Sequence, residues 1–128
     1  MKNDDALSRA MSISTDAAQL GFDWPRTEQA LEKVIEEANE LLEALRCGHG
    51  ISDELGDLLF SVVNVARKCD VDPGQALDGT NAKFSRRFAY VTEQLHRRGS
   101  SPEASTLEEM DSLWEEAKRL ERGEAARG

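Results

Sequence analysis

Apolar side chains recur every three or four residues along this 128-residue chain, and this period constrains the fold more than any other feature. Such spacing places the apolar residues on one face of a helix. No segment alternates apolar and polar residues as a half-buried strand does, and aromatic residues make up only 5% of the chain. The sequence therefore predicts an all-α fold. Its clearest apolar stripe consists of Leu31, Val34, Ile35, Ala38, Leu41, Leu42 and Leu45.

Glycines, prolines and capping residues divide the chain into five predicted helices. Asp23-Trp24-Pro25 separates the first two, because a residue before proline avoids the helical conformation. A break at residues 78–80 in the fourth helix is left open. The predicted N-caps are Thr27, Ser52, Asp72 and Thr106. The helices are expected at about 4–20, 27–46, 52–69, 73–98 and 106–123, with ends uncertain by about 2–4 residues.

The length fits one domain, since a domain typically has about 100–200 residues. We predict this domain over residues 1–122 and a frayed tail over residues 123–128. No apolar run approaches the ~20 residues of a membrane span, and the N-terminus lacks the pattern of a signal peptide. Cys47 and Cys69 stand apart from each other and from any histidine cluster, which argues against a disulfide framework or a zinc site. These features predict a cytoplasmic protein without a membrane partner.

The chain carries 25 acidic and 16 basic residues, a formal net charge of −9. This excess argues against binding to nucleic acid polymers or anionic membranes. It is also local, because nine of the acids lie between Glu28 and Asp57, where only two basic residues oppose them. The position of the acids therefore matters more than their total.

Two carboxylate pairs share one spacing. Glu37 and Glu40 lie three residues apart in the second predicted helix, as do Glu54 and Asp57 in the third, so each pair shares a helix face. A short Gly-rich turn joins the two helices, which favours antiparallel packing and allows all four acids to border one groove. Four adjacent carboxylates require protons or a cation, and their hard oxygens favour Mg²⁺, Mn²⁺ or Ca²⁺ over zinc. A solvated acidic face stays open as the alternative.

Further polar residues extend this pattern. Asn64 continues the acidic face, as a ligand donor or a solvent-facing residue. Lys83 and Arg87 share a face of the fourth helix, and their side chains suit phosphate. The alternative for this basic stretch is a salt bridge to the acidic helices. Trp114 and Lys118 form another pair four residues apart, although tryptophan is more often found in a core or interface than under a base.

The chain contains several recognisable segments, in this order: GFDWP at 21–25, KVIEEANE at 33–40, DELGDLLF at 53–60, Asn64, NAKFSRRF at 81–88, and Trp114 with Lys118. In this order and at these distances, they resemble the MazG family of nucleoside triphosphate pyrophosphohydrolases. The resemblance extends from about Leu7 to Lys118 and is greatest to the catalytic C-terminal half of the two-domain members. A single EExxE motif is weak evidence, whereas EExxE followed by ExxD and NxKFxRRF is strong evidence.

The resemblance implies an all-α helical bundle that forms a homodimer through helix packing, with a tetramer left open. It implies that Mg²⁺, with Mn²⁺ as a substitute, is held by Glu37, Glu40, Glu54 and Asp57. It also implies that Glu37 or Glu40 is the general base, with Glu36 as an outer helper. The implied substrate contacts are Lys83, Arg87, Asn64, Asn81, Trp114 and Lys118.

The implied reaction converts a nucleoside triphosphate and water to a nucleoside monophosphate and pyrophosphate. Water attacks the α-phosphate, and both ribo- and deoxyribonucleotides are expected substrates in nucleotide-pool house-cleaning. Two alternatives stay open. One is a base-restricted pyrophosphatase of the same superfamily that prefers dUTP or dCTP, and the other is a non-enzymatic helical interaction module.

Overall fold

A computed structural model describes residues 5–123, which contain five α-helices and no strand. The all-α prediction is therefore confirmed. Helix α4 runs without interruption, so the break left open at residues 78–80 does not occur. The helices are α1 (Ala6–Gln19), α2 (Thr27–Cys47), α3 (Ile51–Lys68), α4 (Pro73–Arg97) and α5 (Leu107–Glu121).

Two of the predicted N-caps are wrong. Helix α2 has Arg26 at its N-cap, in extended conformation, and the Arg26 amide donates to Gln29 Oε1 at 3.1 Å. Thr27 is consequently the first helical residue. Helix α3 has Gly50 at its N-cap with φ of 77°, so the helix starts ahead of Ser52. Glycine adopts this left-handed conformation without the steric cost of a side chain, and a hydroxyl cap is not needed there.

The other two predicted caps are confirmed. Asp72 Oδ1 accepts a hydrogen bond from the Gln75 amide at 3.1 Å, at the start of α4. Thr106 Oγ1 accepts from the Glu109 amide at 3.1 Å, at the start of α5. Each bond satisfies an amide that has no partner within its own helix.

The chain divides into two compact units between Ala76 and Leu77. The first unit contains α1, α2, α3 and the start of α4, and the second contains the rest of α4 and α5. The single domain predicted over residues 1–122 stays a prediction. Of the predicted tail, residues 124–128 lie outside the described part of the chain. No helix among residues 5–123 is long and apolar enough to cross a membrane.

In the first unit, α3 packs against both α1 and α2. The buried residues at these contacts are small or medium in size, namely Ser14, Ala30, Ala44, Ser61 and Val63. The apolar stripe predicted on α2 is formed, but much of it is uncovered. Ile35 is 58% exposed and Leu45 is 55% exposed, and Leu31 and Leu42 on the same helix are also exposed. Exposed apolar residues that share a helix face in this way are typical of interaction surfaces.

In the second unit, the apolar core joins α4 to α5. Val91 and Leu95 of α4 bury against Leu113 of α5, and Met110 and Trp114 pack around them. This core fixes which face of α4 lies against α5. It therefore decides which basic residues of α4 meet the side chains of α5.

Candidate active site

Three carboxylates converge where α2 and α3 pack together. Glu37 of α2 and Glu54 and Asp57 of α3 each place one oxygen within 4.8 Å of the others. The chain reverses between the helices at Gly48 and Gly50, both in the left-handed conformation. The tight turn keeps the helices side by side, so residues at matching distances from it meet.

The charges of this carboxylate trio are poorly compensated. The pKa of Glu54 is raised above its ordinary value, first by burial and then by the negative charges of Asp57 and Glu40. Carboxylate oxygens are the ligands that Mg²⁺, Mn²⁺ and Ca²⁺ prefer, and a divalent cation would remove the repulsion. The residues present therefore fit a hard metal ion. Glu40 is not part of the trio, although its charge reaches Glu54.

Lys33 is the basic residue that contacts this acidic region from α2. Its Nζ lies 3.1 Å from Glu37 Oε2 and 3.5 Å from Glu36 Oε2. The hydrogen bond to Glu37 is the largest cause that raises the pKa of Lys33. Sequence reasoning assigned Lys33 no role, although its spacing four residues before Glu37 is typical of a helical ion pair.

A cavity of about 600 Å³ opens beside the trio, within the first unit. Glu37 and Asp57 belong both to the trio and to the cavity wall, so the two features form one continuous site. Aromatic side chains provide much of the remaining wall, namely Phe22, Trp24 and Phe60. Sequence reasoning did not find this cavity. The only signal was the GFDWP segment, which was matched to a family without a role for its aromatic residues.

A polar network forms another part of the cavity wall. Arg67 of α3 donates to both carboxylate oxygens of Asp23, at 2.6 and 3.0 Å, and its Nε donates to Ser14 Oγ at 2.6 Å. The Ser14 hydroxyl in turn donates to Asn64 Oδ1. The carbonyl oxygen of Asn64 thus accepts within the protein, and the assignment of Asn64 to the substrate stays a prediction.

The loop after α1 receives a second set of contacts from α3. Lys68 Nζ donates to the Trp24 carbonyl oxygen at 2.6 Å and to Asp23 Oδ2 at 3.3 Å. Hydrogen bonding to the Arg67 guanidinium is the main reason that the pKa of Asp23 lies well below its ordinary value. Asp23 is therefore a firmly ionised anchor. Sequence reasoning missed this network.

The predicted phosphate-binding residues lie in the second unit. Arg87 of α4 lies 5.6 Å from the ring centroid of Trp114, within the range of a cation–π contact. Its Nη2 lies 2.8 Å from Glu121 Oε1, and Arg86 Nε lies 3.1 Å from Glu121 Oε2. The ion-pair partner of Arg87 is thus a residue of α5. Sequence reasoning assigned no role to Glu121.

The other predicted substrate contacts in this unit have ordinary surface positions. Lys83 is exposed on α4. Asn81 Nδ2 donates to Asp78 Oδ1 at 3.5 Å, and Lys118 Nζ lies 3.8 Å from Glu115 Oε1. The structure brings Arg87 and Trp114 together, and their assignment to the substrate stays a prediction, as it does for Lys83, Asn81 and Lys118.

Residues 26–92 match the family model of the MazG nucleotide pyrophosphohydrolase domain. This segment covers more than half of the chain and contains both carboxylate pairs as well as Lys83 and Arg87. The chain belongs to the MazG nucleotide pyrophosphohydrolase domain family. Of the predicted site residues, Trp114 and Lys118 lie beyond the matched segment.

MazG relatives match over most of the chain. The Thermotoga maritima protein named nucleoside triphosphate pyrophosphohydrolase/pyrophosphatase MazG is 42% identical over 113 residues, which cover 88% of this chain and 44% of that protein. The Escherichia coli K12 nucleoside triphosphate pyrophosphohydrolase is 37% identical over 120 residues, or 91% of this chain and 46% of that protein. The chain thus spans less than half the length of these two relatives. The family resemblance deduced from the motifs is confirmed.

Proposed function

We propose that this MazG-family chain hydrolyses nucleoside triphosphates to nucleoside monophosphates and pyrophosphate in a Mg²⁺-dependent reaction. The observation that carries the proposal is the carboxylate trio of Glu37, Glu54 and Asp57, which adjoins a cavity of about 600 Å³ with aromatic walls. The names of the Thermotoga maritima and Escherichia coli relatives support the same reaction. The raised pKa of Glu54 and the cavity beside the trio favour this reaction over a non-enzymatic module.

The metal ligands in this proposal are Glu37, Glu54 and Asp57, with Glu40 as the fourth. When bound there, Mg²⁺ or its substitute Mn²⁺ would polarise the α-phosphate as a Lewis acid. Lys33 donates to Oε2 of Glu37 at 3.1 Å and so fixes the orientation of that carboxylate. The general base for the attacking water in this proposal is Glu37 or Glu40, whichever carboxylate keeps an oxygen that is not used as a metal ligand. Glu36, which pairs with Lys33, is the outer helper.

The phosphate contacts in the proposal come from the basic face of α4. Arg87 offers a planar fork that matches the β- and γ-phosphate oxygens, and Lys83 adds a compact positive charge. Glu121 and Trp114 hold the Arg87 guanidinium from two sides, which preorganises it for an anion. Asn81 and Lys118 are assigned as further contacts to the substrate.

The nucleoside occupies the cavity in this proposal. Its volume of about 600 Å³ lies within the range of about 300–1,000 Å³ that small-molecule pockets typically have. Phe22, Trp24 and Phe60 offer apolar ring surfaces, and every nucleobase has a face that stacks on such rings. We therefore expect broad use of bases and a house-cleaning role, with the Asn64 amide as a polar contact.

The functional unit in the proposal is a homodimer. Four exposed apolar residues, Leu31, Ile35, Leu42 and Leu45, share one face of α2, and such a face is suited to an interface in which both subunits contribute the same surface. A second copy of this chain is therefore the expected occupant. Sedimentation equilibrium should give a mass twice that of one chain, and Ile35→Glu should shift it to the monomer.

A product-resolved assay tests the reaction. The purified protein is incubated with Mg²⁺ and each of the common ribo- and deoxyribonucleoside triphosphates, and ³¹P NMR identifies the products. Monophosphate and pyrophosphate are expected. Diphosphate with orthophosphate would contradict the assigned bond cleavage, and no turnover of any triphosphate would contradict the proposal as a whole. Glu37→Gln, which changes the trio, should abolish the release of pyrophosphate. Glu32→Gln, on the same helix but outside the trio, is the matched control and should keep it.

A further inference from the structure

One arginine at the end of α3 holds the loop that forms a wall of the cavity. Arg67 binds both oxygens of Asp23, and the next residue along α3, Lys68, binds the Trp24 carbonyl oxygen at 2.6 Å. Two adjacent cationic residues therefore hold two adjacent residues of one loop. Since Gly21, Phe22, Asp23 and Trp24 all line the cavity, what holds this loop also shapes the cavity.

The bidentate ion pair between Arg67 and Asp23 is sheltered from solvent. The Arg67 side chain is only 15% exposed and that of Asp23 is 22% exposed. Ion pairs on an open surface contribute little, whereas a bidentate arginine–carboxylate pair in a sheltered position is both stronger and more directional. Ser14 of α1 accepts the Nε donor at 2.6 Å, so the guanidinium is held by α1 and the loop at once.

The loop is also fixed at its beginning. Gly21 has φ of 98°, the Phe22 amide donates to the Ala17 carbonyl at 3.0 Å, and the Gly21 amide donates to the Ala18 carbonyl at 3.0 Å. This pair of bonds closes α1 with a Schellman motif. The start of the loop thus depends on α1, whereas the position of Asp23 and Trp24 depends on α3. Without Arg67, Lys68 would still bind the Trp24 carbonyl oxygen and Asp23 Oδ2, but the bidentate contact to Asp23 and the link to Ser14 of α1 would be lost.

We propose that Arg67 is a positioning residue that sets nucleoside affinity by holding the Asp23–Trp24 wall of the cavity, without contact to phosphate or metal. The proposal rests on the assignment of the cavity to the nucleoside, made above. Arg67 also lines the cavity itself, and through its bonds to Asp23 and Ser14 it holds the neighbouring part of the wall. Its removal should weaken the binding of the nucleoside part of a substrate and spare the binding of a bare polyphosphate.

Steady-state kinetics separate these two effects. For Arg67→Ala we expect KM for a nucleoside triphosphate to rise about tenfold, while kcat and the inhibition constant of Mg²⁺-tripolyphosphate stay within about twofold. Arg67→Lys keeps the positive charge and loses the bidentate geometry, so its KM should lie between those of the wild type and Arg67→Ala. Arg97→Gln is the matched control, because it breaks an exposed arginine–glutamate pair at 3.1 Å and should change neither constant.

Two results would overturn the proposal. One is an equal loss of affinity for tripolyphosphate and nucleoside triphosphate, which would show a general structural role. The other is an unchanged KM in Arg67→Ala. A wild-type protein that releases no pyrophosphate would instead refute the proposed function, so the two failures are distinct.

A binding measurement keeps the proposal testable without turnover and with a milder variant. The chain has two tryptophans, so 5-fluorotryptophan labelling gives two ¹⁹F signals, and Trp24→Phe assigns that of Trp24. Nucleoside triphosphate should shift the Trp24 signal in the wild type, and tripolyphosphate should not. In Asp23→Asn the signal should broaden and respond to nucleotide only at higher concentration. A sharp signal with the wild-type response would contradict the role of the bidentate ion pair.

Discussion

Acidic side chains have opposite environments in two helix pairs of this chain, α2 with α3 and α4 with α5. Between α2 and α3, carboxylates gather without enough counter-charge, and the pKa of Glu54 is raised by burial and by neighbouring acids. Between α4 and α5, the arginines meet a carboxylate, and the pKa of Glu121 is lowered, first by its hydrogen bond to Arg87. Lys33 offsets only part of the negative charge between α2 and α3, and the remaining repulsion is what the proposed metal ion would relieve, whereas the ion pairs between α4 and α5 hold their side chains in place. Each of the following predictions tests this difference.

The largest effect is expected at the carboxylate trio. Asp57→Asn should lower kcat/KM by more than the ~10–100-fold that is typical when residues behind the metal ligands are changed. It should also abolish the rise in Tm that Mg²⁺ gives the wild type. Because the change relieves repulsion on Glu54, Tm without metal should rise or stay equal. Paired thermal scans with and without Mg²⁺ measure both parts, and a variant that keeps its Mg²⁺ response would remove Asp57 from the metal site.

How far this site follows from the sequence depends on the distance between its residues along the chain. Three of the four acids predicted to share a groove come together, because Glu54 and Asp57 lie three residues apart on one helix and a tight turn sets Glu37 beside them, whereas Glu40 lies outside the trio. The Asp23–Arg67 pair is not predictable in this way, because its members lie 44 residues apart and meet only after α1 and α3 have packed. The cavity likewise forms only when segments that are distant in the sequence pack together. Its aromatic residues come from a loop and from α3, and no local spacing connects them.

The fold shows a similar limit. Apolar periodicity predicted the five helices well, yet it did not predict that Ile35 and Leu45 would remain uncovered within one chain. Periodicity reports which residues share a face, and it contains no information about what covers that face. The start of α2 at residue 27 was predicted correctly, but its N-cap was not. The Arg26 amide donates to the side chain of Gln29, whereas Thr27, a common capping residue type, is already helical.

Asp23 is an acidic residue of the first unit whose charge is paired, with Arg67 and Lys68. Its replacement should have the next largest effect, on the free energy of unfolding. Asp23→Asn should lower the free energy of unfolding by about 2 kcal/mol at neutral pH, as is typical for hydrogen bonds to charged groups. The folded-state pKa of Asp23 lies below its ordinary value, so its contribution is complete above the unfolded pKa of about 3.9 and is lost as the pH falls further.

Urea unfolding from pH 7 to pH 2.5 measures this dependence. The difference between wild type and Asp23→Asn should be constant down to about pH 4 and should then shrink. Asp111→Asn, on the exposed surface of α5, is the control. A difference that grows in acid would have the wrong sign for a carboxylate with a lowered pKa and would refute the anchoring role of Asp23.

The basic face of α4 should show a moderate effect on substrate affinity. Arg87→Ala should raise KM for triphosphates about tenfold and affect kcat less, if its fork contributes mainly to ground-state binding. Arg87→Lys keeps a positive charge without the bidentate geometry and should recover only part of the loss. A fall in kcat with KM unchanged would place Arg87 at the transition state instead.

The smallest effect is expected at Glu121. Its replacement tests whether the ion pair between Glu121 and Arg87 helps Arg87 to bind the substrate. Glu121 keeps the Arg87 guanidinium at 2.8 Å while Trp114 lies under it. In Glu121→Gln the arginine loses a charged partner and must be ordered by the substrate, which typically costs about 0.5–1.5 kcal/mol per side chain, so KM should rise about threefold. Glu93→Gln breaks the exposed pair with Arg97 and should leave KM unchanged. If Glu121→Gln instead lowered KM, the Glu121 carboxylate would compete with the substrate phosphate for Arg87. The ion pair would then weaken substrate binding rather than preorganise Arg87 for it.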